Sequence, residues 1–310
     1  VDDLALCSKG VRRVTSERAI AAAAETGIAV QFIQPAPALR RFISGYHCYT
    51  ISFAPGVAHD DLFYPAWGNV RFHSREADWR IGIGERTFDP VPHAALFGPT
   101  SRASVSRSTS GTLIGAGLTP LGWNRFVRAP AADFADRIVP LGDSLSGADA
   151  LSDAVLAASD AMAAAGAMDD FFLARLGKPG RSDARIEAMH RLLAESPPIT
   201  VDAAAVELDM HPRALLRLAL SAFGFRPKLL LRRARFLRTL TRLEEDAHAN
   251  WVDVLDIGYH DQSHFIRDAH EFLGMAPGDF IRMPRPINAA STRLRRAMLG
   301  APAQALHRPD

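Results

Sequence analysis

The 310-residue chain carries 36 Lys and Arg against 34 Asp and Glu, a formal net charge of +2, so its overall charge announces no polyanionic partner. Hydrophobic residues at 48% and charged residues at 23% describe an ordinary globular chain, long enough for two cores and too apolar for a disordered one. No apolar run reaches the roughly 18–20 residues of a membrane span, and Cys7 and Cys48 are too few for a disulfide framework and lack metal-ligand spacing, so two free thiols in a reducing cytoplasm are expected.

Residues 1–27 read as a peripheral arm with one helical stretch from about Thr15 to Glu25. The alanine-rich run from Ala19 to Ala24 follows Arg12, Arg13 and Arg18, but no longer hydrophobic stretch or cleavage site comes after it, so a signal peptide is not expected. Residues 28–146 change character. Short runs at Gly45–Phe53, Asn69–Ser74, Trp79–Ile83, Ala94–Phe97 and Thr112–Ala116 are broken by Pro, Gly and Asp, the pattern of a β sandwich or small barrel. Residues 147–181 read as a helical linker. A helix is expected over Leu151–Leu176 with Val155, Met162, Phe171, Phe172 and Leu176 inward, ending in the Lys178–Arg181 loop. From 182 to 286 short helices alternate with turns, and 287–310 form a basic tail with room for one short helix. The fold expected is α+β and multidomain, β-rich first and all-α after.

An internal repeat organises residues 182–286. At an offset of 50, Leu215 matches Phe265, Arg217 matches Arg267, Ala219 matches Ala269, Gly224 matches Gly274 and Pro227 matches Pro277. Each copy is a helix followed by Gly-x-x-Pro, where Gly supplies a left-handed cap and Pro prevents continuation. A shorter helix precedes each one. The first is Val201–Leu208, with the turn Asp209-Met210-His211 and Pro212 suited to a first helical position. The second is Trp251–Ile257, with the turn Gly258-Tyr259-His260 and Asp261 as N-cap. Two helices joined by such a turn make a helix-turn-helix unit, whose second helix fits the major groove.

At these residues the chain resembles the AraC/XylS family of transcription regulators. The specific strings are Gly258-Tyr259-His260-Asp261-Gln262-Ser263-His264-Phe265-Ile266-Arg267 and Gly274-Met275-Ala276-Pro277. Arg213-Ala214-Leu215-Leu216-Arg217, with Gly224 and Pro227, fits the first unit. Four positions depart from the pattern: Asp209 replaces a turn glycine, His211 a serine cap, and Ala219 and Ala269 each a phenylalanine. The resemblance implies a cytoplasmic, sequence-specific DNA-binding regulator with no catalytic residues, no cofactor and no metal. Its partners would be a double-stranded DNA operator, RNA polymerase and a small-molecule effector, with no membrane partner. The segments Phe63–Phe72, Phe97-Gly98-Pro99, Gly115–Trp123 and Ala135–Leu141 resemble the family's cupin-like N-terminal domain, which implies effector binding or homodimerisation there.

Local charge supports this reading. From His211 to Arg242, Arg and Lys recur with no Asp or Glu between them, an electrostatic footprint for phosphate. The residues expected on DNA are His211, Arg213, Leu216, Arg217, Arg232, Arg233, Gln262, Ser263, His264 and Arg267. Arg232 and Arg233 are expected on phosphates, and the acidic Asp261, Asp268 and Glu271 are expected to weaken the second unit. Trp67, Arg71, Phe72 and Trp79 are the candidates for an effector pocket. The alternative is a cupin-type metal enzyme fused to a DNA-binding module, built on His47, His59, His73 and His93. No His-x-His spacing or companion carboxylate supports it.

Overall fold

A computed structural model describes residues 19–25, 27–195, 197–245, 255, 258–259 and 261–308. The first strand, β1 (Ala19–Glu25), pairs antiparallel with β2 (Ile28–Ile33). The helix expected up to Glu25 is therefore a strand over this stretch, and Thr15–Arg18 lie outside the described residues. Alanine's helix preference amounts to a few tenths of a kcal/mol per residue, and continuous pairing with β2 overrides it. Gly27 makes the turn at φ +87°, and a Cβ there would meet the Ser52 carbonyl oxygen at 2.5 Å. The sheet thus begins before residue 28, inside the expected arm.

One sheet has the order β1-β2-β3-β10-β5-β8-β11, adding β3 (Ile43–Ile51), β5 (Asn69–His73), β8 (Ala94–Phe97), β10 (Gly111–Leu118) and β11 (Ile138–Pro140). The other has the order β4-β9-β6-β7, from β4 (His59–Phe63), β6 (Trp79–Ile83), β7 (Arg86–Phe88) and β9 (Ser104–Ser108). All pairings are antiparallel. Trp79, Ile81 and Ile83 of the smaller sheet share a core with Ala95, Phe97 and Ile138 of the larger one. This two-sheet body bears out the β-rich reading.

Strand β3 is buried on both faces except at Thr50. One face looks toward the smaller sheet, and the other meets helix α3 (Ala161–Leu173), where the Tyr46 hydroxyl donates to Asp169 at 2.8 Å. The single helix expected over Leu151–Leu176 is two, α2 (Ala148–Leu156) and α3, following α1 (Pro120–Phe126). The break is at Asp160, whose carboxylate accepts from the Ala163 amide at 2.8 Å as an N-cap. Met162, expected inward, is 37% exposed, because it lies in the first turn of the new helix.

Seven helices are described in the C-terminal part: α4 (Asp183–Glu195), α5 (Val201–Glu207), α6 (Pro212–Leu218), α7 (Pro227–Glu245), α8 (Gln262–Leu273), α9 (Pro277–Arg282) and α10 (Pro286–Leu299). Helix α6 runs on into a π-helical turn, Ala219–Phe223. The expected helix Trp251–Ile257 falls almost wholly outside the described residues. No helix among those described is long and apolar enough to cross a membrane.

The basic tail is built into the β-rich body. Ile287, Ala290 and Leu294 of α10 pack with Val30, Phe32 and Tyr49. At the start of α10 the Asp61 carboxylate of β4 accepts from the Ile287 amide at 2.8 Å, and the Asn288 side chain donates to the Leu62 carbonyl at 2.7 Å. A carboxylate at a helix N-terminus satisfies orphan amides and opposes the helix dipole.

Candidate nucleic-acid interface

The two repeat helices are built alike. Thr200 caps α5 by accepting from the Ala203 amide, and the turn to α6 passes through Asp209 at φ +48°. Asp tolerates this left-handed conformation better than most residues, so the missing turn glycine is accommodated. His211 caps α6 through Nδ1, which accepts from the Arg213 amide at 3.2 Å. Asp261 caps α8 by accepting from the His264 amide at 2.7 Å. Gly224 and Gly274 end the two units at φ +84° and +78°, and Pro227 and Pro277 begin the next helices.

One face of each helix is core. Leu215 and Ala219 of the first unit and Phe265 and Ala269 of the second are fully buried. Phe223 and Phe272, also fully buried, belong to the same core as the two alanines. The opposite face is open: His211, Arg213 and Arg217 in the first unit, Gln262, Ser263 and Arg267 in the second, are all exposed. Arg213 and Arg217 lie one turn apart, and no hydrogen bond or ion pair holds either side chain among the described residues. Arg267 donates from Nε to the Ser263 carbonyl at 3.3 Å. Leu216 is half-buried between these faces.

Three expected contacts face elsewhere. Arg233 is 1% exposed: it donates to the Thr100 carbonyl at 2.7 Å, and its guanidinium lies 4.2 Å from the Trp67 ring centre. Burial lowers its pKa to about 9. Spacing carried the signal, since Arg233 falls three residues after Leu230 and four before Leu237 on the core stripe of α7. Arg232 pairs with Asp268 at 2.6 Å and Glu271 at 2.7 Å. His264 packs edge-on against Tyr259 and lies 3.2 Å from Arg235, half-buried. Of the acidic residues expected to repel phosphate, Asp268 turns inward and holds α8 to α7, Glu271 shares Arg232 at the surface, and Asp261 caps α8.

Arg226 and Lys228, at the start of α7, are exposed cations and so remain open to phosphate where Arg232 and Arg233 are engaged within the protein. Replacing Arg226 and Lys228 by Ala should lower the slope of log K against log salt by about 0.9 for each phosphate no longer neutralised. Arg233→Ala should leave that slope unchanged. A flattened slope for Arg233→Ala, measured by fluorescence anisotropy at several salt concentrations, would overturn the assignment.

The effector candidates divide along their strands. Trp67 and Arg71 line a partly open cavity bounded by the sheets and by α10, whereas Phe72, the next residue on β5, points to the opposite face and is fully buried in core. Trp79 stacks on Phe97 at 5.5 Å and donates to the Ser106 hydroxyl at 2.9 Å, lining a smaller adjoining space. Sequence reasoning missed Tyr49 and Arg295, and weighed His47 only as a metal ligand; all three line the same cavity as Trp67. Among the described residues no three His, Cys, Asp or Glu side chains gather as a metal site. His73 has both ring nitrogens at carbonyl oxygens, those of Ser74 and Val91.

Residues 204–283 match a protein-family model described as a helix-turn-helix domain. Among solved structures, an apo variant of ToxT from Vibrio cholerae shares 9% identity over 81% of this chain and 99% of its own, with a TM-score of 0.42. Unsaturated-fatty-acid-bound wild-type ToxT from Vibrio cholerae shares 10% over 73% and 94%, at 0.41. The AraC-like transcriptional activator CuxR shares 14% over 75% and 88%, at 0.28. No curated protein matches the chain.

Proposed function

We propose that this chain is a DNA-binding transcription regulator of the AraC type, a reading supported by its C-terminal helix-turn-helix domain, that it reads an operator with the first turns of α6 and α8, and that it is controlled by a small molecule held in its β-rich region. The observation that carries the reading is the matched pair of capped helices, each sealed on one face and open on the other. The major groove, about 12 Å wide, admits one such helix, whose N-terminal residues then reach base edges. Helix α7 joins the end of the first unit to the second and packs on α8, so one chain presents both reading helices.

The first unit dominates sequence preference. Arg213 and Arg217 offer planar forks for guanine O6 and N7, each such pair worth about 1–3 kcal/mol of discrimination. The second unit offers Gln262 and Ser263, with Arg267 turned back on its own helix. Selection of bound sites from random DNA should therefore give Arg213→Ala a relaxed preference at one or two bases. Gln262→Ala should keep the consensus and bind more weakly. A shifted consensus for Gln262→Ala alone would reverse the assignment.

A further inference from the structure

Four buried side-chain nitrogens without hydrogen-bond partners among the described residues belong to residues that line one cavity. They are Nε2 of His47, Nε1 of Trp67, Nε of Arg71 and Nη1 of Arg295. Such orphans are uncommon in folded proteins, and each costs free energy unless something accepts from it. Their arrangement follows from the elements around them. Strand β3 supplies His47 and β5 supplies Arg71, on neighbours of β10 in the larger sheet. Helix α10 supplies Asn288, Ser291, Thr292 and Arg295, spaced 3, 4 and 7 residues from the first, hence on one helix face.

No carboxylate lines this cavity. The Arg71 guanidinium lies 4.5 Å from the Phe97 ring centre, and that of Arg295 lies 4.7 Å from Phe32. Aromatic faces are the nearest compensation either cation has, and neither makes an ion pair among the described residues. Burial lowers the pKa of Arg295 to about 10, still a cation at neutral pH. A buried guanidinium at Arg295 and a half-buried one at Arg71, neither in an ion pair among the described residues, are unfavourable side by side without a counter-charge. Phe63, Ile83 and Phe97 supply an apolar wall beside them. The cavity volume of about 80 Å³ limits the occupant to a small molecule.

We propose that this cavity binds a small organic carboxylate, its oxygens held between Arg71 of β5 and Arg295 of α10 and its apolar part against Phe63 and Phe97. The proposal rests on the reading of the β-rich region as the controlling part and names the ligand's chemistry. Because α10 follows directly on the DNA-binding region, the ligand would clamp the end of that region to the sheets. A phosphate meets the charge requirement but leaves the apolar wall without a partner, which favours a carboxylate with a hydrocarbon body.

The full chain is titrated calorimetrically with short-chain and phenyl-substituted carboxylates, with the matched neutral amides and with inorganic phosphate. Carboxylates are expected to bind and to raise the melting temperature, and the amides and phosphate to do neither. Arg295→Met should weaken carboxylate binding by roughly 30-fold or more. It should leave the unliganded protein at least as thermally stable as the wild type, because an unpaired buried charge is removed. Binding of phosphate as tight as that of the carboxylates, equal binding of the amides, or no binding by any probe overturns the proposal. So does wild-type carboxylate affinity in Arg295→Met. Operator affinity is measured separately with and without carboxylate. Binding that leaves operator affinity unchanged keeps the site and overturns its role in control.

Discussion

Replacing Asp268 by Ala should destabilise the protein by about 3–5 kcal/mol, the usual cost of removing one member of a buried charge cluster. Asp268 is 1% exposed on α8 and accepts from Arg232 at 2.6 Å, from Arg235 at 3.1 Å and from the Tyr259 hydroxyl at 2.8 Å. Burial alone would raise its pKa. Hydrogen bonds from Arg232 and Tyr259, with the charge of Arg232, outweigh burial and hold it below the usual carboxylate range. A depressed carboxylate adds stability that is present above the unfolded pKa and is lost as pH falls through the folded one. Truncation leaves Tyr259 without its acceptor and Arg235 without its carboxylate on the surface that fixes α8 against α7. Operator affinity should therefore fall together with stability. Glu271→Ala is the control: Glu271 shares Arg232 but is 40% exposed in its side chain, and such surface pairs contribute up to about 1 kcal/mol. Urea unfolding of both variants decides the matter, and a loss for Asp268→Ala no larger than that for Glu271→Ala would sink the argument.

Sequence periodicity revealed the C-terminal helices because capping chemistry is local. Gly224 and Gly274, Pro227 and Pro277, and Asp261 each act on the backbone within a few residues, and the helices begin and end where these residues stand. The strands were harder to read. Trp79–Ile83 and Ala94–Phe97 coincide with their runs, but β1, β4, β7 and β9 carry Ala, Asp, Arg or Ser at many positions. Such strands are fixed by their partners, as in the pairing of Asp60 with Arg107 across β4 and β9. A charge census also cannot separate a cation that faces solvent from one that closes an interface. Arg213 and Arg233 look alike in composition, yet Arg233 joins α7 to Thr100 and Trp67. The cavity was half legible. Trp67 and Arg71 stood out as aromatic and basic residues just before and on β5, whereas Arg295 lies in a tail whose helix is stable through packing on β2 and β4.

Acidification from pH 7.5 to 5 should destabilise the protein by about 4 kcal/mol through two buried histidines, well before the carboxylates titrate. His190 of α4 and His307 near the C-terminus are 1% and 4% exposed, with ring centres 6.3 Å apart. Burial, then the charge of His307, lowers the pKa of His190 to about 3. Burial, then the charge of Arg295, lowers that of His307 to about 4. The unfolded chain takes up these protons near pH 6.5 while the folded chain does not. Stability therefore rises with pH across the window and is lost as pH falls from about 6.5 toward the folded values. Each proton excluded costs about 1.4 kcal/mol per pH unit, or about 2 kcal/mol per histidine at pH 5. His47, also lowered by burial first and by Arg71 and Arg295 after, acts in the same direction. The Trp67 ring meets His190 edge-on at 5.9 Å, where α4, the β-rich region and the C-terminal segment meet. Protonation there should loosen that junction first, with exposure of Trp67 as its fluorescence signature. Thermal unfolding of the wild type and of the His190→Gln, His307→Gln double variant between pH 7.5 and 5 provides the test. The variant should lose markedly less stability over this range, and parallel curves for the two proteins would mean that these histidines are not the groups responsible.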